Sequence, residues 1–311
     1  MYQYLLLLVV AFSVTLAVTP LVSKLAFRVG AVDHPEKRKV HDKVMPRLGG
    51  LAVYAGFMAA VFFLPVTGEK VTGLLMGGTV VFLVGIVDDI RGISPKLKLA
   101  GQILAAFIVV SYGVRIDFMS NPFNEYFYFG SLSAPITVIW IVAITNAINL
   151  IDGLDGLAAG VTTIALLTFA VIALMIGQHI VSLLAFALAG SVLGFLRYNF
   201  FPAKIFLGDC GSMFLGYMVS VLAVFGLLKG VTMLTFIVPI VVLGVPIFDT
   251  CFAIVRRYCE HKPIFQADKK HLHHRLLSRG LSHPQAVLLI YCISIFFSMS
   301  ALWMMRSTRL F

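Results

Sequence analysis

Charge is scarce in this sequence. Lys and Arg number 24 and Asp and Glu 14 among 311 residues, while 60% of the chain is hydrophobic. That balance excludes a soluble globular domain, and with it a soluble basic domain able to bind nucleic acid. Only helices and closed barrels satisfy their backbone polar groups in lipid, and the apolar runs here are too long for barrel strands. Four cysteines, Cys210, Cys251, Cys259 and Cys292, show no paired spacing, so neither a disulfide framework nor a CxxC metal site is supported. The first apolar run lacks a basic segment before it and is followed by Lys24 and Arg28, so it reads as a retained span and not as a cleaved signal peptide. Residues 1–150 and 151–311 show no internal repeat.

What remains is an all-α polytopic membrane protein, read as one transmembrane domain over 1–311. Ten spans of about 20 residues are expected. They lie near Tyr2–Val22, Leu48–Val66, Val71–Val87, Leu99–Gly113, Ser131–Ile151, Leu157–Ile176, Ile180–Leu196, Met213–Leu228, Val231–Val255 and Ala286–Met305. The loops that follow odd-numbered spans hold 19 of the 24 basic residues. By the positive-inside rule those loops are cytoplasmic and both termini lie outside. The same face carries eleven of the fourteen acidic residues and every histidine except His179. Acids, amides and histidines gathered with bases on one face suit a polyanionic ligand and a metal.

The stretch Asn146 to Gly160 is central. It places Asn146, Asn149, Asp152 and Asp155 between two apolar runs, where a carboxylate costs about 2.5–3.5 kcal/mol. Asn146 and Asn149 share one side of a helix end. The helix is expected to end near Ile151, with Gly153 and Gly156 letting a loop turn both carboxylates back toward the amides. The other polar stretches lie in the remaining loops of that face. Arg47 precedes Gly49 and Gly50, which let a phosphate approach closely. Asp88 and Asp89 are adjacent carboxylates that repel unless one is protonated or a cation neutralises them. Asn199 precedes Phe206 to Ser212, where Asp209 follows Gly208 at a helix start suited to a cation bridged to phosphate. Asp249 reads as a buried structural acid paired with Arg256 or Arg257. In the last loop, Lys269, Lys270, His271, His273, His274 and Arg275 suit contacts to a sugar nucleotide. No HExxH pattern makes those histidines a zinc site.

In combination these stretches resemble the polyprenyl-phosphate N-acetylhexosamine-1-phosphate transferases, integral enzymes that start cell-envelope glycans. The pieces that carry the resemblance are Pro46 to Gly50, Asp88-Asp89 with Lys98, Asn146 to Gly156, Phe206 to Ser212 and His271 to Arg275. The His271-Leu272-His273-His274-Arg275 form resembles the UDP-N-acetylglucosamine branch, whereas the muramoyl-pentapeptide branch has three consecutive histidines. The resemblance implies ten or eleven transmembrane helices, a cytoplasmic-face site and a bacterial cytoplasmic membrane. It implies transfer of N-acetylglucosamine-1-phosphate from UDP-N-acetylglucosamine to undecaprenyl phosphate with release of UMP. Another UDP-N-acetylhexosamine remains an alternative substrate, and a homodimer is compatible. It places Mg²⁺, with Mn²⁺ as a substitute, on Asp209 and Asn149. Asp88 and Asp89 would position the lipid phosphate, while Asp152 and Asp155 would order sugar-nucleotide and metal contacts. Arg47, Lys98, Asn146, Asn199, Gly208, Lys269, His271, His273, His274 and Arg275 would hold phosphates and nucleotide. Direct transfer and a covalent intermediate both stay open. A secondary transporter fits less well, because the acids lie at one face and no repeat exists. A CDP-alcohol phosphotransferase would need the pattern DGxxAR, and Gly160 stands where its arginine would be.

Overall fold

The computed structural model describes residues 2–35, 44–64, 68–120, 126–227, 233–261 and 271–307. Among these, the helices in chain order are α1 (Tyr2–Val29), α2 (Gly49–Phe62), α3 (Glu69–Arg91), α4 (Pro95–Ser111), α5 (Ser133–Ile151) and α6 (Leu157–Met175). They continue with α7 (His179–Asn199), α8 (Gly208–Leu222), α9 (Met233–Val242), α10 (Gly244–Cys259), α11 (Leu272–Ser278) and α12 (His283–Ser307). Among the described residues, strand structure is confined to two short antiparallel pairs. β1 (Val32–Asp33) joins β2 (Met45–Pro46), and β3 (Phe118–Ser120) joins β4 (Tyr126–Tyr128).

Every expected apolar stretch contains helix, but their lengths differ. Among the described residues, seven helices are long and apolar enough to cross a membrane, and the protein is a multi-pass membrane protein. α2 has 14 residues and reaches about 21 Å at 1.5 Å per residue, short of a hydrocarbon core of about 30 Å. The ninth expected span is two helices, α9 and α10, which meet at Leu243 and Gly244. Pro246 explains the break. Within one continuous helix it would remove a hydrogen bond and clash with the preceding turn, whereas in the first turn of α10 its missing N–H has no consequence.

α8 is the central pillar. Its apolar window is 89% buried, against 28% for α1 and for α12 at the lipid-facing periphery. It packs against α2, α3 and α5. Apolar helices gain little from hiding from apolar lipid, so close approach depends on small residues. A methyl group on Gly50 would lie 2.1 Å from Gly211 N, and one on Gly85 would lie 2.3 Å from Cys210 Cα. One on Gly216 would lie 2.7 Å from Thr145 Cα. The N-terminal turn of α8 is therefore wedged between α2 and α3 with no room to spare.

All five loops expected on one face meet at one end of the bundle. Gly49 N–H donates to Phe206 O (3.0 Å), Gly50 N–H to Leu207 O (2.8 Å) and Phe206 N–H to Pro46 O (2.8 Å), tying the first loop to the fourth. Lys98 joins the second loop to the fourth through Asp209. The Asp155 backbone N–H donates to His283 Nε2 (2.9 Å), and Ala203 N–H donates to Asp155 Oδ2 (2.9 Å), which bring in the third and fifth. The opposite end holds the Tyr4 hydroxyl on His179 Nδ1 (2.8 Å) and Ser133 on Asp117 (3.0 Å).

Gly50→Ala is expected to destabilise the protein by about 1–3 kcal/mol through overpacking against α8. Gly68→Ala meets open space and should stay within about 0.5 kcal/mol. Thermal unfolding of the two variants in detergent checks this; equal Tm values would refute the wedge.

Candidate active site

The C-terminal end of α3 and the N-terminal end of α4 deliver the first two acids and the first cation. Gly92, at φ +64°, ends α3, and Ile93 N–H donates to Asp88 Oδ1 (2.9 Å). Ser94 caps α4 with Pro95 at its first position, so Lys98 emerges one turn later and faces back toward α3. Its ammonium bonds Asp88 Oδ2 and lies 3.3 Å from Asp209 Oδ2.

Asp89 is buried against the start of α8. Its two oxygens accept from Asp209 N–H (2.9 Å) and Cys210 N–H (3.0 Å). These are N–H groups that a helix leaves without internal partners, and the positive end of the helix favours a carboxylate there. Gly208 makes the approach feasible. It holds φ +75°, and a Cβ there would lie 2.3 Å from Arg47 O and 2.6 Å from Asp89 Oδ2. Arg47 completes the frame, with Nη2 at 3.1 Å from both Asp89 Oδ1 and Asp209 Oδ2. Burial works against the Arg47 charge, but the carboxylates around it outweigh burial and raise its pKa.

Asp209 is the hub. It receives Arg47, Lys98 and the Asn149 amide, whose Nδ2 donates to Asp209 Oδ1 (2.6 Å) and to Ser212 Oγ (2.8 Å). One carboxylate oxygen from each of Asp88, Asp89 and Asp209 lies within 4.8 Å of the others, a spacing that one divalent cation can span. Fully ionised, the three acids would carry three negative charges against two from Arg47 and Lys98, an imbalance that a further cation would offset.

The loop after α5 is a turn, as the two glycines imply, but its acids diverge. Asp152 is half-buried beside the cluster, and burial, then the charges of Asp209 and Asp89, push its carboxyl up to about 8. Asp155 turns away, its carboxylate held by Ala203 N–H. Asn199 accepts Gly156 N–H (3.1 Å) and donates to Ile205 O (3.0 Å), which uses its amide to join loops. Asn146 exchanges hydrogen bonds with Gln102 and donates to Val142 O, inside the bundle. Asp88, Asp89, Asp209, Asn149, Arg47, Lys98 and Gly208 thus come together, with Asp152 adjacent, while Asp155, Asn199 and Asn146 bond elsewhere.

The histidine arm rests on this loop. A methyl on Gly153 would lie 2.4 Å from His273 Nε2. His273 is buried; burial, then the neighbouring His274, lowers its pKa to about 3, so it is neutral. His274 is half-buried, and Arg275 lies with Cζ 5.1 Å from the Phe252 ring centroid. Lys269 lies outside the described residues. The pairing expected for Asp249 is corrected: its carboxylate bonds His271 and the Leu272 N–H, not Arg256 or Arg257. The arginines stand two turns further along the same helix, about 10–12 Å in rise, whereas the start of α11 lies against Asp249. Gln102 is missed by sequence reasoning, although it stands four residues after Lys98, on the same face of α4.

Asp152 also generates a stability prediction. Its folded pKa of about 8 lies above the roughly 3.9 of an unfolded aspartate, so the folded state binds the proton more tightly. Its contribution therefore declines as pH rises from about 4 to about 8 and is flat beyond. In EDTA, the Tm advantage of Asp152→Asn over the parent is expected to widen between pH 5 and pH 8. A constant difference across that window would refute the environment assigned to Asp152.

Residues 71–227 match glycosyl transferase family 4. The chain is 50% identical over 307 residues to the "Probable undecaprenyl-phosphate N-acetylglucosaminyl 1-phosphate transferase" of Bacillus subtilis strain 168, covering 97% of this chain and 86% of that protein. It is 30% identical over 285 residues to the undecaprenyl-phosphate alpha-N-acetylglucosaminyl 1-phosphate transferase of Thermotoga maritima, covering 91% and 85%. A phospho-N-acetylmuramoyl-pentapeptide-transferase of Clostridium botulinum strain Eklund 17B is 32% identical over 236 residues, covering 70% and 72%. With an acid cluster bridged by two cations at one end of a membrane bundle, and half its length within the matched region, this chain belongs to glycosyl transferase family 4 and is a phosphoglycosyl transferase.

Proposed function

We propose that the protein transfers N-acetylglucosamine-1-phosphate from UDP-N-acetylglucosamine to undecaprenyl phosphate, releasing UMP, at the cytoplasmic face of a bacterial membrane. The product begins a cell-envelope glycan. The names of the Bacillus and Thermotoga relatives support the two substrates. The observation that carries the reading is the convergence of Asp88, Asp89 and Asp209 with Arg47 and Lys98. Both substrates are anionic and must be brought together, which is chiefly a problem of positioning and charge.

Three oxygens within one cation's span, all of them hard donors, fit Mg²⁺ or Mn²⁺. A cation held by Asp88, Asp89 and Asp209 neutralises pyrophosphate charge when bound. Asp89 is the fixed corner, because the α8 N–H groups hold both of its oxygens. Asn149 orients Asp209. Arg47 and Lys98, each shared between two acids, are placed to transfer their hydrogen bonds to incoming phosphates. The Asp152 carboxyl makes no side-chain hydrogen bond to a described residue and holds its proton up to about pH 8, so beside the cluster it is placed to donate a hydrogen bond to the sugar nucleotide. The histidine arm, seated on Gly153, closes the nucleotide side.

Turnover is expected to vanish in EDTA and to return with Mg²⁺ or Mn²⁺; full turnover in verified absence of metal would remove the cation from the reading. Asp209→Asn is expected to lower kcat by at least about 100-fold, the effect of losing a key electrostatic group. Asp117→Asn, at the opposite end, should leave kcat and KM near those of the parent. Release of UMP and the mass of the lipid product measure both. Retained kcat in Asp209→Asn would move the site elsewhere.

Orientation is tested by cysteine labelling after Cys251, Cys259 and Cys292, which are exposed, are replaced by serine, Cys210 being buried. Ser278→Cys should label from the cytoplasm and Ser131→Cys from outside. Reversed labelling would invert the placement of the site.

A further inference from the structure

Asp249 has no part in the chemistry above, yet it is a buried acid, 8% exposed, beside His271 at 5%. A carboxylate so placed is costly unless its oxygens are hydrogen-bonded, and here each oxygen has a separate partner. Oδ1 accepts the Leu272 backbone N–H (2.7 Å) and so anchors the first turn of α11. Oδ2 lies 2.9 Å from His271 Nδ1.

That contact decides a tautomer. A carboxylate only accepts, so the hydrogen between the two groups belongs to Nδ1. In the neutral ring Nε2 is then a lone-pair acceptor, and His271 has no protein partner there among the described residues. The His271 ring lies 4° from parallel with His273, 6.0 Å between centroids, and His273 in turn lies against Gly153 beside Asp152. Asp249 therefore governs both where the histidine arm starts and which nitrogen of its first histidine is open to a ligand.

We infer that Asp249 is a positioning residue: it locks His271 in the Nδ1–H tautomer and keeps Nε2 as an acceptor for an O–H or N–H donor of the sugar nucleotide. The ligand class rests on the function proposed above; the tautomer does not. The simplest competing arrangement is a protonated Asp249 donating to Nδ1, which would place the ring hydrogen on Nε2.

The test is nitrogen-15 spectroscopy of histidine-labelled protein in bilayers, with His271→Ala used to assign the signals. In the parent, His271 Nδ1 should carry the hydrogen and Nε2 should not. Asp249→Asn keeps an oxygen for Leu272 N–H but offers its NH₂ to Nδ1, so the tautomer should reverse. UDP-N-acetylglucosamine should shift the Nε2 signal of the parent and not that of Asp249→Asn. In turnover, Asp249→Asn should raise KM for the sugar nucleotide about tenfold, the worth of one hydrogen bond, with kcat changed less than about threefold. Adding Asp249→Asn to His271→Ala should bring no further loss. A hydrogen on Nε2 in the parent, in a neutral or a doubly protonated ring, overturns the inference even if the variant fails to fold. Unchanged tautomer in Asp249→Asn, or additive losses in the double variant, overturns it as well. If the parent does not turn over UDP-N-acetylglucosamine, the substrate reading fails, and the tautomer measurement still decides the role of Asp249.

Discussion

The contact on which the site depends is the one between the Asp89 carboxylate and the first N–H groups of α8. Those N–H groups have no partners inside their own helix, and a buried carboxylate has few other ways to be satisfied. Each therefore solves the problem of the other, across 120 residues of sequence. The bond sets the height of α8 relative to α3, and that height places Asp209 where Arg47, Lys98 and Asn149 can reach it. Gly208 is the geometric condition, since any side chain there would collide with the Arg47 carbonyl and the Asp89 carboxylate.

The membrane explains why the scaffold is so tightly fitted. Lipid offers little hydrophobic incentive for apolar helices to associate, so stability comes from close packing and from hydrogen bonds that have no water to compete with them. Gly50, Gly85 and Gly211 bring backbones into contact around the first turn of α8, which carries Asp209, and Gly216 does so against α5 about two turns later. Thr15, with Ser191 and the Ala52 carbonyl, makes a comparable polar link between α1, α7 and α2. A site assembled on rigid helix ends keeps its charges in place, which is what electrostatic stabilisation of a transferring phosphoryl group requires.

Legibility differed from residue to residue. The apolar stretches and the gathering of polar loops at one end could be read directly, because lipid imposes the first and loop charge the second. The end of α5 at Ile151 was legible from Gly153 and Gly156. The division at Leu243 was less so, since Pro246 lies inside an apolar run whose hydropathy alone reads as one span. Asp152 and Asp155 are three residues apart in one motif, yet one lies beside the acid cluster and the other binds Ala203. Asn199 and Asn146 read as ligand groups, and their amides instead hold loops and helices together.

By itself the sequence determined the membrane class, the polar end of the bundle and the inventory of acids, amides and bases available there, because composition and span length answer to the solvent. Tertiary structure alone decided which of those groups meet. Asp89 and Asp209, Lys98 and Asp209, and Asp249 and His271 are joined across helices whose relative height and rotation depend on side-chain packing between remote segments. Local spacing places a side chain on a face of its own helix, but it carries no information about what the neighbouring helix brings to that face.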